Sequence, residues 1–213
     1  MNTSVDEIKI SHLVKTTTVL GPGNRFVLWV QGCKKRCKNC INPAGQTLEG
    51  SQLISVEKIF HMICEQKGLQ GVTISGGEPL LQFPAIFKLV MLIKEYTNLD
   101  IMLFSGYTYE EIKCQYPTEI IDLFFSKIDI FVDGEYIDEL NDNQMYRGSS
   151  NQNILFFTDK YREFENQIIH SYNRNIEFEV ENNTDVFLVG IPPKNFYEEF
   201  IATIKKEVNG NEN

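Results

Sequence analysis

The feature that most restricts this chain is the run Cys33-Lys34-Lys35-Arg36-Cys37-Lys38-Asn39-Cys40. Three thiols spaced C-x3-C-x2-C can surround one small inorganic centre at little loop-closure cost. The residues just before it, Phe26-Val27-Leu28-Trp29-Val30-Gln31, are a continuous β-prone apolar run, as expected of a strand covered on both faces. The thiols therefore belong to a loop at a strand end. A [4Fe–4S] cube ordinarily takes four thiolates. Three close ligands leave one iron open to a small molecule, much as catalytic zinc sites keep one position free. The same thiols also suit a structural zinc ion, with His61 or Cys64 as fourth ligand, because those two stand at i and i+3 of a predicted helix. Cys64 and Cys114 otherwise read as small buried apolar residues.

Composition narrows the choice. Five cysteines, an odd number, favour metal or redox chemistry over a disulfide framework. Residues 1–9 are polar and acidic, unlike a signal peptide, and no apolar run reaches the roughly 18 residues of a membrane span. The expected compartment is the cytoplasm. The 29 acidic against 20 basic residues give a net charge of −9, which argues against broad electrostatic binding to nucleic acid. Lys34, Lys35, Arg36 and Lys38 concentrate positive charge around the thiols, where it favours thiolate and an anionic cluster. It is also a candidate docking patch for an acidic electron donor of flavodoxin or ferredoxin type. A plain solvated basic loop is the alternative.

The periodicity predicts an α/β chain. Strand-like residues 8–20 lead to a turn at Gly21-Pro22-Gly23, and further strands follow at 26–31, 72–75, 100–104 and 128–132. Helices are predicted from Ser55, a plausible N-cap, to about 66, with Val56, Ile59, Phe60 and Ile63 at helical spacing, and at 83–96 and 118–126. Alternation of this kind implies right-handed βαβ units and a mostly parallel sheet. After residue 152 the pattern gives a helix at 160–172, a hairpin of 176–180 with 186–189 around Asn182-Asn183, a closing helix at 196–207, and a tail at 209–213 expected to fray. Length fits one domain, 1–213, with a core at 20–155 and a C-terminal extension at 156–208.

A second motif, Thr73-Ile74-Ser75-Gly76-Gly77-Glu78-Pro79, ends a strand. Its glycines allow close backbone approach to a ligand, and Glu78 offers an acceptor to an ammonium group. Ligands of parallel α/β folds bind beyond the carboxyl ends of the strands, where both motifs would lie. Together they resemble the radical S-adenosylmethionine (SAM) superfamily, and most of all the glycyl-radical activases of anaerobic ribonucleoside-triphosphate reductases. The resemblance runs through Gly21-Pro22-Gly23-Asn24-Arg25-Phe26, Gln31-Gly32-Cys33, Cys40 to Asn42-Pro43 and Ser75 to Leu81. It continues through Ser105-Gly106-Tyr107-Thr108, Val132-Asp133-Gly134 and Arg147-Gly148-Ser149-Ser150-Asn151-Gln152.

That resemblance implies a partial (β/α) barrel, open on one side to admit a protein substrate. It implies an oxidoreductase in which Cys33, Cys37 and Cys40 hold a [4Fe–4S] cluster, and SAM chelates the fourth iron. Gly76, Gly77 and Glu78 would contact the amino end of SAM, while Ser105, Asp133 and Asn151 would line the same mouth. For Ser105 and Asp133 a capping role stands beside ligand contact, and Arg147 could pair with a carboxylate of a ligand or of its own surface. Reductive cleavage of SAM would give a 5′-deoxyadenosyl radical that abstracts hydrogen from a glycine of a partner reductase. A radical SAM enzyme acting on another peptide or small molecule, and a zinc-binding module, are the alternatives. Asn39 and Ile41 depart from the family pattern, which commonly has an aromatic residue and a histidine there.

Overall fold

The apolar runs pair into a seven-stranded sheet in the computed structural model of the chain, which describes residues 5–48, 52–181 and 185–210. β1 (Glu7–Thr17) pairs antiparallel with β2 (Arg25–Val30) on one side and β3 (Gln52–Ser55) on the other. β4 (Gly71–Gly76), β5 (Asp100–Phe104) and β6 (Ile130–Asp133) follow β2 in parallel, and β7 (Asn153–Phe156) adds antiparallel to β6. The order is β3-β1-β2-β4-β5-β6-β7. β3, twice reversed relative to β2, points the same way as β2, so only β1 and β7 run against the rest of the sheet. The fold is thus mixed α/β with a mostly parallel sheet whose two ends, β3 and β7, are not joined to each other.

Period-two alternation divides the core. Phe26, Leu28, Val72, Ile74, Ile101, Leu103 and Phe131 pack beneath α1 (Val56–Cys64), α2 (Phe83–Tyr96) and α4 (Thr118–Phe125). Val27, Trp29, Met102, Ile130 and Val132 point to the other face, which the chain's last third covers with Val189 and Ile168. Every residue of β2 is buried, as a central strand with both faces covered requires. Ser55 caps α1 by accepting from the Lys58 amide, as expected. The short α3 (Tyr109–Lys113) starts with a capping box in which Thr108 and Glu111 satisfy each other's backbone amides.

The last third departs from expectation in part. The helix predicted at 160–172 is a 3-10 turn, Asp159–Tyr161, followed by α5 (Glu165–Ile169). Ile168 alone is buried in α5, too little apolar surface to hold a longer helix. β8 (Ile176–Glu181) and β9 (Asp185–Gly190) form the expected hairpin, and its Asn182-Asn183 turn lies outside the described residues. α6 (Phe196–Gly210) continues past 207 into the tail expected to fray, of which 211–213 lie outside the described residues. The hairpin is seated on the sheet: Phe187 stacks on His12 at 3.7 Å between centroids, and Glu177 accepts from Thr17 Oγ1 at 2.6 Å.

At the amino ends of the parallel strands Arg25 is fully buried, 2.6 Å from Asp100. It also donates to Thr73 Oγ1 and to the carbonyls of Pro22 and Val72, and Tyr161 donates to Asp100 at 2.7 Å. This knot closes the end of the sheet opposite the cysteines. Among the described residues no helix is long and apolar enough to cross a membrane.

Candidate functional site

The cysteine loop leaves β2 at Val30 and folds back on itself. Gln31 donates its amide to the carbonyls of Ala44 and Thr47, each at 2.9 Å, and the Gly32 amide donates to Gly45 at 2.8 Å. Arg36 and Asn39 take left-handed backbone angles, φ 59° and 55°, which wind the loop around its thiols. Cys33 is buried, Cys37 and Cys40 are half-buried, and none is paired in a disulfide. The Lys35 amide donates to Cys33 Sγ at 3.4 Å, and the Tyr136 amide donates to the Cys37 sulfur. The sulfurs lie close enough to disfavour one another's ionisation. Burial, the larger cause, raises the Cys33 thiol and pushes Cys37 up to about 11. Ligation of metal therefore has to displace protons.

The basic residues of the loop are not one free patch. Lys35 is 17% exposed, lies over the Tyr107 ring at 4.4 Å and is 3.6 Å from Glu111. It fastens the loop to the end of β5. Arg36 donates to the Cys33 and Gln46 carbonyls. Lys38 makes an exposed pair with Glu139 at 2.9 Å, and Lys34 is exposed.

The glycine motif is built against this loop. A Cβ on Gly76, at φ +113°, would lie 2.3 Å from the Val30 amide nitrogen, and one on Gly77 would lie 2.3 Å from the Gly32 carbonyl. The Gly77 and Glu78 amides donate to the Val30 and Gly32 carbonyls at 2.7 and 2.8 Å. The close approach expected toward a ligand is thus made first to the cysteine loop. Glu78 is 1% exposed. One of its carboxylate oxygens accepts from Leu80 N at 3.0 Å and Ser105 Oγ at 2.9 Å, the other from Gly106 N at 2.7 Å. Burial pushes it up to about 7 against the pull of these donors.

The remaining predicted residues also join strand ends. Ser105 accepts from the Tyr107 amide, and buried Asp133 accepts from Tyr109 N, Asn153 N and Asn153 Nδ2. Asn151 is exposed and donates to the Glu135 carbonyl. Arg147 pairs with Asp142 at 2.6 Å.

A cavity of about 500 Å³ opens beside Cys40 at the carboxyl ends of β2, β4 and β5. Trp29, Ser75 and Phe104 form its floor, and Asn39, Tyr136, Asp138 and Gln152 its polar side. Residues 190–198 complete the lining. Asp138 gathers the polar side by accepting from Tyr136 Oη at 2.6 Å and Asn39 Nδ2 at 2.7 Å. Tyr136 and Asp138 carry no local sequence signal for this role, since only the fold brings them to Cys40, whereas Gln152 ends the Arg147–Gln152 segment that carries the resemblance.

A family profile described as a 4Fe-4S single cluster domain matches residues 19–155. The anaerobic ribonucleoside-triphosphate reductase-activating protein of Enterobacteria phage T4 is 32% identical over 148 residues, 66% of this chain and 89% of that protein. Its counterpart from Vibrio cholerae is 34% identical over 148 residues, 66% of this chain and 92% of that protein. The chain belongs to the family of the anaerobic ribonucleoside-triphosphate reductase-activating proteins. The pyruvate formate-lyase-activating enzyme of Staphylococcus aureus is also similar, 35% identical over 67% of this chain and 59% of that protein. Among solved structures, QueE from Escherichia coli has a TM-score of 0.40 at 16% identity, over 48% of this chain and 54% of that chain, too slight a likeness to build on. An activating protein of this family is a radical SAM enzyme, with a [4Fe–4S] cluster and SAM as cofactors.

The donor chemistry of this chain suits such a cluster, while among the described residues no three His, Cys, Asp or Glu side chains stand close enough together to hold a metal ion. Three thiols share one loop, backbone amides point at two of the sulfurs, and a cavity adjoins the third. Neither His61 nor Cys64, the two fourth ligands expected for zinc, lies at the thiols. Cys64 lies by Gly68 and Asn98, near the start of β4 and β5, whereas the thiol loop begins where Val30 pairs with Gly76, the last residue of β4. The length of β4 places the two ends about 16 Å apart, and His61, one turn earlier, is only about 5 Å nearer. Cys64 and Cys114 are exposed, not buried as expected. Cys64 ends α1 beyond the buried Val56, Ile59 and Ile63, and Cys114 is the C-cap of α3.

Proposed function

We propose that this chain holds its [4Fe–4S] cluster on Cys33, Cys37 and Cys40, binds SAM in the adjoining cavity, and installs a glycyl radical on an anaerobic ribonucleoside-triphosphate reductase. The observation that supports this reading is a loop of three thiols whose last member, Cys40, lines a 500 Å³ cavity. When bound, the cluster and SAM together supply one-electron reductive cleavage, giving methionine and a 5′-deoxyadenosyl radical able to take hydrogen from a glycine Cα.

The chain's own residues orient and shield. The backbone at Gly76 and Gly77 offers the rim for the amino end of SAM, and Glu78 keeps that rim in register with Ser105 and Gly106. Asp133 and Asn151 hold the loops that frame the mouth. Trp29 and Phe104 keep the floor dry, which strengthens every polar contact above it. No side chain is required as a general base. The parallel strands β2, β4, β5 and β6 serve as the wall of a partial barrel within a single domain. A low-potential donor of flavodoxin or ferredoxin type would approach at the exposed Lys34 and Lys38.

The test is anaerobic incubation of the reconstituted chain with SAM, a reductant and the anaerobic reductase encoded in the same genome. A SAM-dependent glycyl radical detected by electron paramagnetic resonance is expected. SAM cleavage without any radical on that reductase would show that the substrate is another molecule.

A further inference from the structure

The family profile ends at residue 155, and the relatives from phage T4 and Vibrio cholerae are already 89% and 92% covered by their matches. The segment holding α5, the β8–β9 hairpin and α6 is therefore an addition of this chain to the shared core. It lies at the cavity, where residues 190–198 form part of the lining together with Cys40 and Ile41. This part of the wall is firmly held. Pro192 and Pro193 fix two φ angles. The Arg174 guanidinium donates to the Pro192 carbonyl at 2.9 Å, the Gln144 carbonyl at 3.0 Å and Asn141 Oδ1 at 3.0 Å. The Lys194 amide donates to Asn143 Oδ1 at 2.7 Å.

α6 starts in that wall and carries Tyr197, Phe200, Ile201 and Ile204 at i, i+3, i+4 and i+7, one apolar stripe of a helix. These side chains are 49, 37, 47 and 44% exposed. Phe200 stacks on Phe178 of β8 at 5.5 Å between centroids, so the stripe is only partly covered by its own hairpin. Phe178 itself is exposed, with Val180 and Val186 beside it on the hairpin. An apolar surface of this kind marks an interaction face.

We propose that α6 is the docking helix for the protein substrate. The partner lays an apolar surface on the 197–204 stripe while its glycine-bearing segment enters the cavity past residues 190–198. Tyr197 belongs to both the stripe and the cavity lining, so the face runs without a break into the site. That continuity favours the substrate over a second copy of this chain, which would cover the mouth the substrate must use. The inference rests on the function proposed above and adds where recognition resides.

The experiment uses the full chain, reconstituted with its cluster, carrying Phe200→Asp together with Ile204→Asp. SAM cleavage without reductase is expected to stay within about twofold of the unsubstituted chain, while the reductase concentration for half-maximal glycyl-radical formation rises by about tenfold or more. An unchanged half-maximal concentration overturns the docking role alone. So does sedimentation showing a dimer of the unsubstituted chain that the substitutions split. Should the paired charges unfold α6 by circular dichroism, Ile201→Ser carries the test, with an expected rise of about threefold. If the unsubstituted chain cleaves SAM but leaves the reductase without a radical, the proposed function itself fails, and docking with it.

Discussion

Glu78 sits between Leu80, Ser105 and Gly106 with both carboxylate oxygens engaged, and Ser105 is 27 positions away in sequence. Read in isolation, the residue is an acceptor for the ammonium of SAM. In the fold it is first a brace between the ends of β4 and β5, and the partners that make it so are not adjacent in the chain. Asp133 is similar, accepting from Tyr109, 24 positions earlier. The cysteine spacing, by contrast, was legible because its geometry is local. Glu78 also has a consequence for pH. Its ordinary value is 4.5 and burial moves it to about 7. Between those values the folded chain keeps a proton that the unfolded chain has released, so stability falls as pH rises through the window. The full effect is on the order of 3 kcal/mol. Thermal melts of the cluster-free chain should therefore lose more between pH 5 and 7 than those of Glu78→Gln, which cannot ionise. Parallel curves for the two would contradict the burial argument.

At the scale of elements, α2 occupies 83–96 as the spacing predicts, and Ser55 caps α1. β3 and β7 escape the same reading because four-residue, partly exposed strands carry little alternation and form by pairing with distant neighbours. α3 had a legible signal in Thr108-x-x-Glu111, which its short length obscured. The contact between β4 and the cysteine loop could not be read at all, and it has a direct consequence. Gly77→Ala places a methyl group 2.3 Å from the Gly32 carbonyl, a backbone atom that cannot turn aside. The substitution should cost about 1–3 kcal/mol and reduce the iron retained per chain after reconstitution. Urea melts and iron analysis would measure the two effects. At the opposite end of the sheet, Arg25→Met removes the buried ion-pair partner of Asp100 and leaves it only the half-exposed Lys160 at 3.3 Å, with an expected loss of about 3 kcal/mol in urea unfolding. That site is remote from the thiols, so the iron content of the surviving folded chain should not change.

Across the whole molecule, a mostly parallel sheet carries the thiol loop and the glycine turn at the carboxyl ends of adjacent strands, while buried charge closes the other end. The extension covers the second face of the sheet and reaches the cavity, so it serves both the core and the site. The most direct measurement is to reconstitute the chain anaerobically with iron and sulfide, reduce it with SAM present, and assay iron, sulfide and 5′-deoxyadenosine. The account predicts about four irons and four sulfides per chain, with SAM-dependent nucleoside release that disappears when Cys33, Cys37 or Cys40 is changed to Ser and persists in Cys64→Ser. Bound zinc in place of iron, or nucleoside release that survives loss of any one of the three thiols, would contradict it.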